Sequence, residues 1–102
     1  MFTVEYHVNS DGTNVVAGWL AGLSNPQTLS RVLDRIERIE FGNFGDHKSV
    51  GEGVWELRLN FGPGYRVYHT RVGSTVVLLL AGGTKASQKR DIRRATRNKT
   101  EY

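Results

Sequence analysis

Arginines at positions 58 and 66 lie in GVWELRLNFGPGYRVYHT (53–70), which reads as a β-hairpin, at places where a small domain ordinarily carries threonine or valine. The planar guanidinium fork matches phosphate oxygens better than the point charge of lysine. The two-residue period of a strand groups Arg66 with Tyr68, and Arg58 with Glu56. Like charges on neighbouring strands cost about a few tenths of a kcal/mol, a cost consistent with an anion held between them. Glu56 is the competing partner, and if it pairs with the arginines the cluster is structural. Two flanking segments add lysines. Asp46-His47-Lys48 lies in the glycine-rich stretch entering the hairpin, and Gly82-Gly83-Thr84-Lys85 lies where an apolar strand gives way to a basic segment. Arg58, Arg66, Lys48 and Lys85 thus converge from three segments on one expected anion site, with His47 as a candidate proton-transfer group.

Other chemistries find no support. GGTK lacks the spacing of a phosphate-cradling loop, and GEGVWE lacks the third glycine of a dinucleotide fingerprint. His7, His47 and His69 have no metal-ligand spacing and the chain has no cysteine, so neither a metal nor a cofactor is expected.

The 102 residues, 38% hydrophobic and 24% charged, fit a single domain spanning 1–102 with one core. The start shows no basic and apolar leader pattern, and the longest apolar run, VVLLLA (76–81), is far too short to span a bilayer. A cytoplasmic protein without membrane association is expected. Charge is unevenly spread. Residues 85–102 hold seven basic and two acidic side chains, +5, which leaves −1 on residues 1–84 of a chain whose total is +4. A basic segment of this kind is the footprint of a polyanion or of an acidic partner. Lys89, Arg90, Arg93 and Arg94 are the candidate contacts to such a partner, which the resemblance given below makes RNA.

The elements that must position these groups follow from pattern. TVEYHV (3–8) reads as a strand. Val16, Trp19, Leu20 and Leu23 mark a short helix capped by Asp11 or Thr13, with Gly18 and Gly22 suited to a close helix approach. SNPQ (24–27) starts a second helix, capped by Asn25 with Pro26 at its first position or by Ser24 in a capping box. Leu29, Val32, Leu33, Ile36 and Ile39 or Glu40 form its buried stripe, and Asp34–Arg38 is an i,i+4 pair. Residues 41–53 read as a loop, 54–60 and 65–70 as the hairpin, 75–81 as a strand covered on both faces, and 86–98 as a helix whose inward seam is Ile92 and Ala95. The expectation is an α+β fold of order β-α-α-β-β-β-α. It has a small antiparallel sheet, the helical hairpin on one face, and the other face left for a ligand or partner.

The runs GNFGDHKSVGEGVWELRLNFGPGYRVYHT (42–70) and VVLLLAGGTKASQKRDI (76–92) together resemble the "addiction module killer" (HigB/RelE-like) branch of the RelE/ParE superfamily, toxins of type II toxin–antitoxin systems. The resemblance implies a microbial-RNase-like fold. It also implies a metal-independent mRNA endoribonuclease that acts with the ribosome and inhibits translation. In that chemistry the ribose 2′-hydroxyl attacks the adjacent phosphate and leaves a 2′,3′-cyclic phosphate. Arg66 matches the arginine that holds the phosphate, Arg58 a basic residue of the preceding strand, and Lys48 and Lys85 the positions flanking the cleft. The last helix departs from the pattern: QKRDIRR has no tyrosine, and Asp91 stands near that place. Proton transfer then falls to Asp91, His47 or Tyr68. The implied partners are mRNA, the ribosome and a cognate helix-turn-helix antitoxin, with DNA bound only through the antitoxin complex. The alternatives are inhibition of DNA gyrase, as in the ParE branch, and a non-catalytic RNA-binding module.

Overall fold

The computed structural model describes residues 1–102. Five strands, β1 Thr3–Tyr6, β2 His47–Gly51, β3 Val54–Leu59, β4 Tyr65–Val72 and β5 Val76–Thr84, form one sheet in the order β1-β5-β4-β3-β2. Helices α1 (Val15–Ala21) and α2 (Pro26–Ile39) follow β1, and α3 (Gln88–Glu101) follows a 3-10 turn at Lys85–Ser87. The class is α+β, with the order β-α-α-β-β-β-β-α.

The sheet departs from expectation in two ways. It is mixed rather than antiparallel, because β1 runs parallel to β5, with Thr3 opposite Val76 and Tyr6 opposite Leu79. Hydrophobic alternation carries no information on strand direction, and β1 is joined to β5 only through the whole intervening chain, so no hairpin forces an antiparallel neighbour. The second departure is β2, within the stretch read as a loop. Its sequence HKSVG is exposed except for half-buried Val50, as befits an edge strand. It pairs with β3 through a tight turn at Glu52-Gly53, where both φ angles are positive, 57° and 74°. That is the primed hairpin geometry, which matches the twist of the strands it joins.

One face of the sheet packs against α1 and α2. Val16 and Leu20 of α1, and Val32, Ile36 and Ile39 of α2, share a core with Leu57, Leu59, Val67, Val77 and Leu79. Leu33, expected in the buried stripe, is 41% exposed instead. Asn14, not Asp11 or Thr13, caps α1 by accepting from the Ala17 N–H, and Asn25 caps α2 by accepting from Gln27 and Thr28 with Pro26 in the first turn. Arg38 and Asp34 pair at 2.7 Å.

The second face is not open. It carries Val54, Tyr68, Leu78, Leu80 and Ala81, and α3 covers it with Ala95 and Ile92. Leaving that much apolar surface in water would forgo about 1.5–3 kcal/mol per large side chain, which is why the helix docks there. The seam of α3 is largely polar, since Asp91 and Asn98 are also buried and Asn98 donates to the Leu80 carbonyl at 2.9 Å. Close approach is needed at Gly82 and Gly83, not at Gly18 or Gly22. A Cβ at Gly82 would overlap the Trp19 ring, one at Gly83 the Asp91 carboxylate, whereas one at Gly18 would meet nothing.

Candidate functional site

Arg58 and Arg66 are direct cross-strand partners in β3 and β4 and share the α3-covered face, as their spacing predicts. Gly83 of β5 is the next residue in that row. One step along lies a parallel row of Lys48, Glu56, Tyr68 and Ala81. Lys85 enters from the 3-10 turn: its N–H donates to the Gly64 carbonyl at 2.8 Å, and a Cβ at Gly64 would touch both the Lys85 stem and the Arg66 guanidinium. Three of the four cations therefore stand on one sheet face, with Lys85 at its end.

Their environments differ sharply. Arg66 is buried, with 6% of its surface exposed. Its Nη1 donates to the Tyr65 carbonyl at 3.1 Å, while Nε stands 3.8 Å from a Glu56 oxygen and makes no hydrogen bond. Arg58 is only partly buried and holds Asp46 through Nη2 at 2.8 Å and Nε at 3.2 Å. Asn60 donates to the other Asp46 oxygen at 2.8 Å. These hydrogen bonds, that from Arg58 foremost, hold the Asp46 carboxyl below its usual range. Lys48 and Lys85 are exposed and neither reaches a carboxylate. Glu56, the competing partner, thus faces Arg66 alone, and Arg58 is held by Asp46 instead.

Beneath α3 the polar groups form a chain. The Tyr68 hydroxyl donates to Glu56 at 3.0 Å, and Gln88 donates to the same oxygen at 2.7 Å. Burial first, then the Glu56 charge and hydrogen bond, raise the Tyr68 pKa far above its ordinary value. Tyr68 is therefore a fixed hydrogen-bond donor and is unsuited to proton transfer at neutral pH. Asp91 is buried on the inner side of α3 above Gly83 and accepts from Ser87.

His47 does not join this site. It precedes Lys48 on β2, so it points to the opposite face, where it stacks near Phe44 and Trp55. Its Nδ1 stands 2.9 Å from the Gly45 carbonyl. A loop would leave His47 and Lys48 free to converge, whereas a strand forces them to alternate. On α3, Lys89, Arg90 and Arg93 are exposed and line an open groove of about 530 Å³ with Lys85. Arg94 turns away and lines a different groove with Asn9, Asp11 and Glu101.

Sequence reasoning missed Gln88 and Ser87, whose roles depend on where α3 docks. It also missed Arg35, which donates to the carbonyls of Arg58 (2.9 Å) and Phe44 (3.0 Å) and so ties α2 to the entrance of β2. The i, i+3 spacing of Arg35 from Val32 on the inner edge of α2 was the available signal.

In class this is an α+β domain whose mixed sheet presents a row of cations partly roofed by a basic helix. No family model matches the chain. It is 47% identical over 77 residues to an "Uncharacterized protein" of Haemophilus influenzae (strain ATCC 51907 / DSM 11121 / KW20 / Rd), a match covering 76% of this chain and 78% of that one. The chain belongs to the same family as that protein.

Proposed function

We propose that this protein is a RelE/ParE-type toxin of a type II toxin–antitoxin system, with the microbial-RNase-like fold of that superfamily, and that it cleaves mRNA on the ribosome. The observation that carries the reading is the shared row of Arg58 and Arg66, flanked by the unpaired ammoniums of Lys48 and Lys85. In such an enzyme Arg66 would hold the scissile phosphate and the lysines would stabilise charge developing on it. A positioned cation or donor of this kind contributes about 3–4 kcal/mol to the transition state. With His47 on the far face and Tyr68 held protonated, Asp91 is the remaining candidate for proton transfer. The basic outer side of α3 would follow the RNA backbone, and a helix-turn-helix antitoxin would neutralise the toxin by covering this face.

A second reading has one observation in its favour. Arg66, Glu56 and Tyr68 are buried under α3, which suits a toxin that acts by binding a target such as gyrase. Induced expression of wild type and Arg66→Ala, followed by mapping of mRNA 5′ ends, separates the two. New 5′ ends that require Arg66 support the nuclease. Growth arrest with intact mRNA and DNA breaks supports gyrase poisoning, and no growth effect removes both.

A further inference from the structure

We propose that the cavity between Phe44, His47, Trp55, His69 and Arg71 is a nucleobase-binding site, on the sheet face opposite Arg58 and Arg66. Its volume is about 280 Å³, near the lower end for small-molecule pockets. The residues come from β2, β3, β4 and the chain just before β2, beyond the cover of α1 and α2.

Three features point to a base. The first is the run of ring faces. His47 lies 5.3 Å from both Phe44 and Trp55, tilted by 41° and 43°, so the rings splay and leave faces free. Trp55 is 37% exposed on an edge hairpin, so part of its indole stays open to a ligand. The second is His69 at the floor. It is 2% exposed, and neither ring nitrogen has a hydrogen-bond partner. Buried polar atoms left so are rare in native proteins, and a neutral imidazole offers a donor on one nitrogen or an acceptor on the other to a base edge. The third is Arg71, exposed at the rim over the rings of Phe2 (4.7 Å) and Phe44 (5.5 Å) with no carboxylate partner, positioned to meet the phosphate of a nucleotide whose base is stacked below. An aliphatic ligand would use the rings but leave His69 and Arg71 unanswered. The choice of ligand rests on the RNA reading above; the geometry does not depend on cleavage.

The test follows Trp55 fluorescence in Trp19→Phe, which leaves one indole of the chain's two. The titrants are adenosine and uridine 5′-monophosphates, with inorganic phosphate as the control. Saturable quenching by at least one nucleotide, absent with phosphate, and weakened about tenfold or more in the exposed-site variant His47→Ala, is expected from the loss of one stacking face. Should Trp19→Phe fold poorly, the Trp55 indole N–H resonance of the wild-type chain gives the same readout. Unsaturable responses, an equal response to phosphate alone, or full affinity in His47→Ala would overturn the proposal. A chain that binds nucleotide at Trp55 yet cuts no mRNA keeps this site and loses the nuclease; one that cuts mRNA with an unresponsive Trp55 does the reverse.

Discussion

Acid should destabilise this protein through His69, whose surroundings set the size of the effect. The imidazole lies beneath Phe44 with neither nitrogen hydrogen-bonded, and burial first, then the nearby His47 and Arg71, push its pKa down from 6.5 to about 4. Between those values the unfolded chain binds a proton that the folded chain refuses, so stability rises with pH across the window. The His69 contribution is complete above about pH 6.5 and is lost as pH falls towards 4. Each pH unit between the two values is worth about 1.4 kcal/mol, so about 3 kcal/mol disappears by pH 4. Urea unfolding of wild type and His69→Gln at intervals from about pH 7.5 to 4 isolates the contribution. Asp11 and Asp46, whose carboxyls are held low by hydrogen bonds, lose their contributions at still lower pH and in both proteins alike. The stability difference between the two proteins should therefore shift by about 3 kcal/mol against wild type over this range. Parallel curves would refute the reasoning and mean that His69 is solvated or finds a partner when charged.

Three further outcomes are expected. Asn25→Ala removes the side-chain acceptor for Gln27 and Thr28 and should cost about 1 kcal/mol in thermal or urea unfolding. Gly83→Ala places a methyl against Asp91 and Ser87 and should displace α3 from the sheet, costing about 1–3 kcal/mol and loosening the amide protection of residues 88–98, as read by hydrogen exchange. Asp46→Asn should cost under about 1 kcal/mol, because the Arg58–Asp46 pair is partly exposed, while freeing the Arg58 guanidinium; RNA affinity at low salt should rise, and a fall would mean that Asp46 positions Arg58 for its anion.

What short-range chemistry controls was legible in the chain. Alternation in VWELRL and YRVYHT placed Arg58 and Arg66 on one face, because the strand period admits no other arrangement once the Gly62–Gly64 turn sets the register. Periodicity in α2, its Asp34–Arg38 pair and the both-sides burial of β5 were readable for the same reason. The rest came from packing between elements distant in sequence. β2 is polar and its pairing energy comes from hydrogen bonds to β3, which no apolar pattern announces, and its existence is what sends His47 to one face and Lys48 to the other. The direction of β1 depends on a crossover rather than on its own residues. Above all, whether Arg66 meets solvent or Glu56 depends on α3. That helix has few apolar residues and so gives a weak signal, yet it docks because Gly83 lets Asp91 approach and because the apolar row around Tyr68 must be kept from water.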